Sequence, residues 1–312
     1  MKIAVIDGIN HDIGLNILFP EADYYINNIE NDKSENMKKY NIEPRYDWST
    51  ITDKNYDYLF IIISLYDTKK NTRFFKPNTL NILQREIKII NNHNFKKVFI
   101  FDNYDYDYDP NEIIQNDKIS LFFKRNYNKT KKYCDNVIPF PFIMFGSHAS
   151  IIEKIDNSIV CNKIENRIFF SGLLFNHEDS QINYYRNRNI IYNEIKPLIY
   201  NPGYLPYKLF LTEMSLSKYS LDLNGVGDPN IRTFEILSQG SLRIAEYNHL
   251  KWPFDDSFSE ETIFKNSEDF FKKIKALEED YSLYEKCLNN QMQIYEKYFN
   301  KIWLKEYLSI YL

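Results

Sequence analysis

Residues 219–247 read YSLDLNGVGDPNIRTFEILSQGSLRIAEY, and this stretch decides how the whole chain is interpreted. Ser220, Leu221, Asp222 and Leu223 form an extended run into Asn224-Gly225-Val226-Gly227, where residues lacking a β-carbon let the backbone turn sharply and let a ligand come close. Asp228 suits a helix N-cap and Pro229 the first helical position. The spacing of Ile231, Phe234 and Leu237 predicts a helix over 229–239, with Gly240 closing it in a left-handed conformation and a second strand following. Arg232 and Glu235 fall three apart on the other face. A free helix start offers unpaired N–H groups and a partial positive charge, and a guanidinium one turn in adds a planar fork matching phosphate oxygens. The stretch is therefore suited to hold a diphosphate, with Glu235 placed to accept from sugar hydroxyls. The same two side chains could instead pair with each other on a solvated face, for a few tenths of a kcal/mol.

The loop is neither of the two familiar nucleotide loops. Asn230 stands where a dinucleotide fingerprint has its third glycine, no acidic residue follows at the ribose distance, and no Gly-Lys-Ser/Thr follows as in a Walker loop.

Outward from this stretch, the second half reads as an α/β unit. It has a strand at 167–172 (RIFFSG), a helix rich in Arg and Asn at 184–195, a short strand at 198–200 and a helix at 207–217. After Tyr247 come helical stretches at 267–279, 281–299 and 303–311. The first half alternates in the same way, with strands at 2–7, 22–26, 58–64, 97–102 and 119–123, a run at 137–142, and a helix at 77–91 carrying Leu80, Leu83, Ile87 and Ile90. Near-continuous apolar strands of this length belong to parallel sheets covered on both faces. The polar segment 32–48 reads as an irregular surface excursion. The pattern lapses over 143–165, so the expected architecture is α/β with two Rossmann-like domains, 1–150 and 151–312, a cleft between them and a helical C-terminus.

Composition narrows the function classes. The 312 residues carry a net charge of -4 with basic residues dispersed along the chain, which argues against nucleic acid as a partner. No apolar run approaches the roughly 20 residues of a transmembrane helix, and the start MKIAVIDG has no signal-like stretch, so a cytoplasmic location is expected. Cys134, Cys161 and Cys287 have no metal-ligand spacing and read as reduced thiols. Tyr, Phe, Asn, Ile and Lys are abundant, so an exposed Tyr or Asn says little by itself. With only eight glycines in the chain, the pair Gly225 and Gly227 is the more telling.

Two Rossmann-like halves, a strand ending in FFSG, and SLDLNGVGDPNIRTFEILSQGSLRI together resemble the GT-B glycosyltransferases. The likeness is strongest to CgeB-like and group-one enzymes, whose C-terminal halves carry an Arg-x-Phe-Glu helix before a small-residue turn and strand. A similar stretch occurs in Rumi-like O-glucosyltransferases and exostosin-type enzymes, and FFKRNYNKTKKYCDNVIPFPF (122–142) resembles the end of their acceptor domain. The resemblance implies transfer of a sugar from a UDP- or GDP-sugar to a glycan, protein or small-molecule hydroxyl. The donor would be bound through Gly172, Gly225, Gly227, Asn230, Arg232, Thr233 and Glu235. Glu235 and Glu246 are eleven residues apart, whereas the retaining group-one pattern has two glutamates eight apart.

Beyond the resemblance, His11 and Asp12, after the first strand, would face the cleft as candidate bases for the acceptor hydroxyl. Lys124 and Arg125, at the end of a strand, are candidate phosphate contacts. The run Asp105-Tyr106-Asp107-Tyr108-Asp109 contains two overlapping Asp-x-Asp triplets, which could hold Mn²⁺ or Mg²⁺ across a diphosphate as in GT-A enzymes. The preferred expectation is a metal-independent enzyme without a cofactor, because an arginine can supply the charge. A non-catalytic nucleotide- or sugar-binding protein of the same shape is the other alternative.

Overall fold

The computed structural model describes residues 1–7, 15, 18–26, 45–47, 50–51, 54–63, 84–102, 110–112, 114, 116–140, 163–172, 174, 183–225 and 231–312. The chain divides into two compact units. One comprises Met1–Ser150, Leu250–Pro253 and Lys305–Leu312, and the other Ile151–His249 and Phe254–Leu304.

The first unit is built on seven parallel strands: β1 (Ile3–Asp7), β2 (Asp23–Ile26), β3 (Arg45–Asp47), β4 (Tyr58–Ile63), β5 (Lys97–Asp102), β6 (Ile119–Lys124) and β7 (Val137–Pro139). Their order in the sheet is β3-β2-β1-β4-β5-β6-β7. Helix α1 (Gln84–Asn92) precedes β5. Alternation along the strands sorts the two faces chemically. Leu59, Ile61, Val98, Ile100 and Phe122 join one largely aliphatic cluster. On the other face Phe60, Phe99, Phe101, Phe123 and Phe140 form a ladder of rings, with Phe101 stacked on Phe123 at 4.6 Å.

The last eight residues belong to this unit and meet that aromatic face. Tyr311 lies edge-on to Phe123 at 5.7 Å, and Tyr307 stacks on Phe140 and donates to the Pro139 carbonyl at 2.9 Å. Tyr58 Oη donates to the Leu312 carbonyl at 2.8 Å, and Lys97 Nζ to the Tyr311 carbonyl at 2.5 Å. Residues 250–253 attach through Lys251 N–H to the Tyr127 carbonyl at 2.8 Å. The sequence reading left both segments with the second half, because nothing in a local pattern reveals a partner two hundred residues away.

The segment 32–48 is not wholly irregular. Arg45–Asp47 pairs in parallel with β2, Tyr24 opposite Arg45 and Ile26 opposite Asp47, forming an edge strand. Three residues without an apolar run give no strand signal, and short charged strands are common at sheet edges. Tyr46 anchors it, packing on Tyr25 at 5.4 Å beneath the Lys54 ammonium.

In the second unit five parallel strands, β8 (Ile164–Phe169), β9 (Ile199–Tyr200), β10 (Ser217–Asp222), β11 (Leu242–Glu246) and β12 (Ile263–Phe264), lie in the order β12-β11-β10-β8-β9. The helices are α2 (Asn183–Ile195), α3 (Tyr207–Leu216), α4 (Ile231–Gln239), α5 (Ser267–Glu279) and α6 (Tyr281–Tyr298), while α7 (Lys301–Ser309) begins in this unit and ends among the residues assigned to the first. Phe210, Leu211 and Met214 of α3 and Ile236 of α4 pack together with Phe169. Tyr192 of α2, Phe270 and Ile274 of α5 and Tyr284 and Cys287 of α6 pack with Ile168, Leu221 and Ile244. Helices α5 and α6 start where the sequence predicts, at side-chain caps. Asn266 accepts from Asp269 N–H, and Asp280 from Leu283 N–H. No helix among the described residues is long and apolar enough to cross a membrane.

Candidate donor site at the strand-order reversal

From β8 the second sheet grows one way to β9 and then, after a return, the other way through β10, β11 and β12. The carboxyl ends of β8 and β10 therefore flank a topological switch point, where open α/β sheets bind ligands because the two connections leave in opposite directions. Phe170-Ser171-Gly172 follows β8. Leu223-Asn224-Gly225 follows β10 and leads to α4. Both the FFSG end and the glycine turn thus fall at the same switch point.

The end of β10 is held from two sides. Arg188, 8% exposed on α2, donates from Nη2 to the Leu223 carbonyl at 2.8 Å and from Nε to the Asn224 carbonyl at 3.0 Å. On the other side the Glu246 carboxylate accepts the Asn224 N–H at 2.9 Å, and the Asn224 amide donates to the Tyr247 carbonyl at 2.8 Å. Burial pushes the Glu246 carboxyl above the usual range, with the Asn224 N–H and the Arg188 charge working against it. The peptide entering the glycine turn is therefore fixed by charged groups of both signs before any ligand arrives.

Helix α4 is tied to the sheet by a buried carboxylate. Asp222 Oδ2 accepts from Thr233 Oγ1 at 2.8 Å and from Arg243 Nε at 2.6 Å. The Thr233 hydroxyl thus donates to a buried carboxylate. Gly240 closes the helix at φ 65°, in the left-handed conformation the sequence predicts.

Arg232 and Glu235 lie one turn apart on α4. The Arg232 guanidinium sits 5.0 Å from the Phe170 ring centre, against Gly172. A β-carbon on Gly172 would stand 2.5 Å from Arg232 Nη1 and 2.9 Å from Phe170 Cζ, so glycine is what leaves room for the guanidinium. Burial and the neighbouring Arg188 cation lower the Arg232 pKa, opposed by Asp222 and Glu235. The repulsion between these two neighbouring cations is what an incoming anion would relieve. Glu235 is buried and its pKa is raised by that burial, while Arg232 and a hydrogen bond from Tyr207 pull it down.

Gly225 is buried at the start of the turn. Gly227 and Asn230 lie outside the described residues, as do His11, Asp12 and the Asp105 to Asp109 run. Lys124 and Arg125 are placed differently from the sequence expectation. Both are buried in the first unit, and Lys124 Nζ lies 3.2 Å from Asp102 Oδ2 with neither side chain exposed. A strand-end lysine looks available in sequence, but one register position decides whether it faces solvent or the adjacent strand. Arg188, Asp222 and Tyr207 were not singled out from the sequence. The signals were faint: an arginine in a polar helix, and a carboxylate at the end of a mixed strand. Among the described residues no group of three or more His, Cys, Asp or Glu side chains gathers to hold a metal ion.

Two parallel sheets with their helices and a helical C-terminus give an α/β architecture with the GT-B fold. No family model matches the chain, and no curated protein sequence matches it. Solved structures do match. One is HepE of Anabaena in complex with UDP, at 12% identity over 99% of each chain and a TM-score of 0.58. A second structure of HepE, in complex with UDP-glucose, has 11% identity over 99% of this chain and 98% of that one, with a TM-score of 0.56. T4 phage BGT, in complex with UDP and Mn²⁺, has 14% identity over 100% of this chain and 98% of that one, with a TM-score of 0.53. At such identities the likeness is one of fold.

Proposed function

We propose that the chain is a glycosyltransferase that takes a sugar from a UDP-sugar and passes it to an acceptor hydroxyl, without a metal ion. The observation that carries this reading is the pairing of Arg232 with the glycine turn at the switch point of the second sheet. The UDP and UDP-glucose complexes of structures with the same fold support UDP over GDP, and the motif resemblance to CgeB-like and group-one enzymes supports transfer as the activity. Arg232 and the amide groups at the start of α4 hold the diphosphate, Gly225, Gly227 and Asn230 let it approach, and Glu235 accepts from the ribose or the sugar.

In the reaction the acceptor oxygen forms a bond to the anomeric carbon as the bond from that carbon to the β-phosphate oxygen breaks. The charge that accumulates on the leaving UDP is met by Arg232 and the helix start, which are already oriented. If the anomeric configuration inverts, the acceptor proton passes to His11 or Asp12.

The direct test is thermal unfolding with UDP or GDP. UDP at a hundred times its Kd should raise the midpoint by roughly 5 °C or more, following a stabilisation of about 2.7 kcal/mol. Release of UDP from UDP-glucose, with and without candidate acceptors, then separates an enzyme from a binding protein. Persistence of both effects in EDTA is expected; their loss, with Asp107→Ala abolishing rescue by Mn²⁺, would move the assignment to a metal-dependent enzyme. An intact fold that neither nucleotide stabilises would sink the proposal.

Gly172→Ala probes the cradle. The nearest atom belongs to the flexible end of Arg232, which should move, but the buried Phe170 ring, 2.9 Å from the added carbon, must shift as well. UDP affinity is expected to fall about tenfold, with the melting midpoint lowered by a few degrees through the shift of the Phe170 ring. Unchanged affinity would mean that the guanidinium does not need this seat.

A further inference from the structure

The sheet face beneath α4 is apolar on β8 and polar on β10 and β11. Phe169 of β8 packs with Ile236 of α4, whereas Ser220 and Asp222 of β10 lie beside Ser241 and Arg243, all four buried. These side chains are joined. Ser220 Oγ donates to Ser241 Oγ at 2.8 Å, and Arg243 Nε and Thr233 Oγ1 both donate to Asp222 Oδ2, at 2.6 and 2.8 Å. Arg243 is held in turn through its main chain. Among the described residues, β12 pairs with β11 only at Ala245 and Glu246, which leaves the earlier part of β11 without a strand on that edge. The side-chain amide of Gln291, buried on α6, stands in for the strand: Oε1 accepts the Arg243 N–H and Nε2 donates to the Ser241 carbonyl, both at 2.8 Å.

Burying polar groups costs stability unless they are paired, and what the pairing supplies is direction. Apolar attraction is non-directional, so a helix resting on an apolar face can roll slightly at little cost. A hydroxyl that donates to a fixed carboxylate oxygen resists such a roll. Thr233 is the residue next to Arg232, so its bond to Asp222 sets the angle of α4 about its own axis beside the guanidinium. The seat of that guanidinium is narrow, between the Phe170 ring and Gly172, where an added β-carbon would stand 2.5 Å from Nη1. A roll of about 10° moves a side-chain end at the rim of a helix by about 1 Å, enough to spoil a hydrogen bond made there.

We propose that Asp222, oriented by Arg243, is a positioning residue that acts through Thr233 to set the roll of α4 and so to hold the Arg232 guanidinium in its seat for the donor diphosphate. This rests on the donor-site reading given above. Arg232 touches the ligand; Asp222 and Thr233 act through it. The relay starts at Gln291 on α6, crosses the sheet through Arg243 and Asp222, and ends one residue from the phosphate contact.

The test measures UDP and uridine binding by calorimetry in Thr233→Val, which keeps the shape of the side chain and removes its hydroxyl. The Kd for UDP should rise about tenfold while that for uridine changes less than about twofold, the pattern of a binding group misplaced by about 1 Å. Thr233→Ser, which keeps the hydroxyl, should bind UDP nearly as the unaltered protein does. The decisive readout is a cycle with Arg232→Ala. In that background Thr233→Val should weaken UDP no further, because no guanidinium is left to misplace. A helix that is merely loosened would weaken UDP and uridine alike, with or without Arg232. Thr233→Ala, which sets no methyl group against the carboxylate, takes the place of Thr233→Val if the latter does not fold, and the same losses are expected of it. Unchanged UDP affinity, equal losses for the two ligands, or a loss that persists in full alongside Arg232→Ala would overturn the proposal. If UDP binding depends on Arg232 but not on Thr233, this inference alone fails. If it does not depend on Arg232, the donor-site reading fails and takes this inference with it.

Discussion

Arg232→Ala is expected to raise the Kd for UDP about a hundredfold while changing that for uridine by less than about threefold. Removing one partner of a desolvated, hydrogen-bonded charge pair costs 2–5 kcal/mol, and a hundredfold in Kd corresponds to about 2.7 kcal/mol. The geometry argues for an effect in this range. Arg232 is partly buried at the switch point, seated over Phe170 in the space that Gly172 leaves, and held near Arg188 at an electrostatic disadvantage that a diphosphate would relieve. The comparison with uridine separates a phosphate contact from a general disturbance of the helix. Calorimetric titration with both ligands decides the matter. Equal losses for UDP and uridine would remove Arg232 from the phosphate and return it to the bland role of pairing with Glu235.

The second large effect is one of stability. Lys124→Met should destabilise the first unit by about 3–5 kcal/mol, because it breaks a fully buried ion pair by removing one partner. Lys124 and Asp102 are both fully buried, side by side on adjacent strands β6 and β5. Replacing both, as in Lys124→Met with Asp102→Leu, should recover most of the loss, since a buried ion pair exchanged for apolar side chains of similar volume is often neutral or stabilising. Urea unfolding of the two single variants and the double variant measures the coupling. Additive losses would show that the pair does not act as a unit. UDP affinity measured well below the transition should not change in Lys124→Met, which separates this core role from the phosphate contact suggested by the sequence.

Much of the fold was legible because it rests on local signals. Apolar runs such as YLFIII and KVFIFD could only be strands covered on both faces, and Asn266, Asp280 and Gly240 mark helix ends by their own chemistry. What escaped depends on pairing across distance. β3 is three residues whose strand character comes from β2, and residues 305–312 read as the end of the second half until their partners on β4, β5 and β7 are seen. The candidate site divides the same way. Arg232, Glu235 and the glycine turn were visible as a motif, because strand, turn and helix are contiguous. Arg188, Glu246 and Tyr207 shape that motif from other elements, and their roles depend on which carbonyl or carboxylate each happens to meet. Thr233 lay on the motif, but the hydrogen bond of its hydroxyl to the Asp222 carboxylate beneath the helix could not be read from it.

The return of residues 305–312 to the first unit bears on how the protein is made. A ribosome releases the strands of that sheet well before Tyr307 and Tyr311, so Phe123 and Phe140 lack those ring contacts until the chain has been made past the second unit's strands. The second unit, whose segments are nearly contiguous, can be finished first. Vectorial synthesis thus leaves the first unit waiting for residues made after most of the second, with a greasy surface that a chaperone would have reason to shield in the interval.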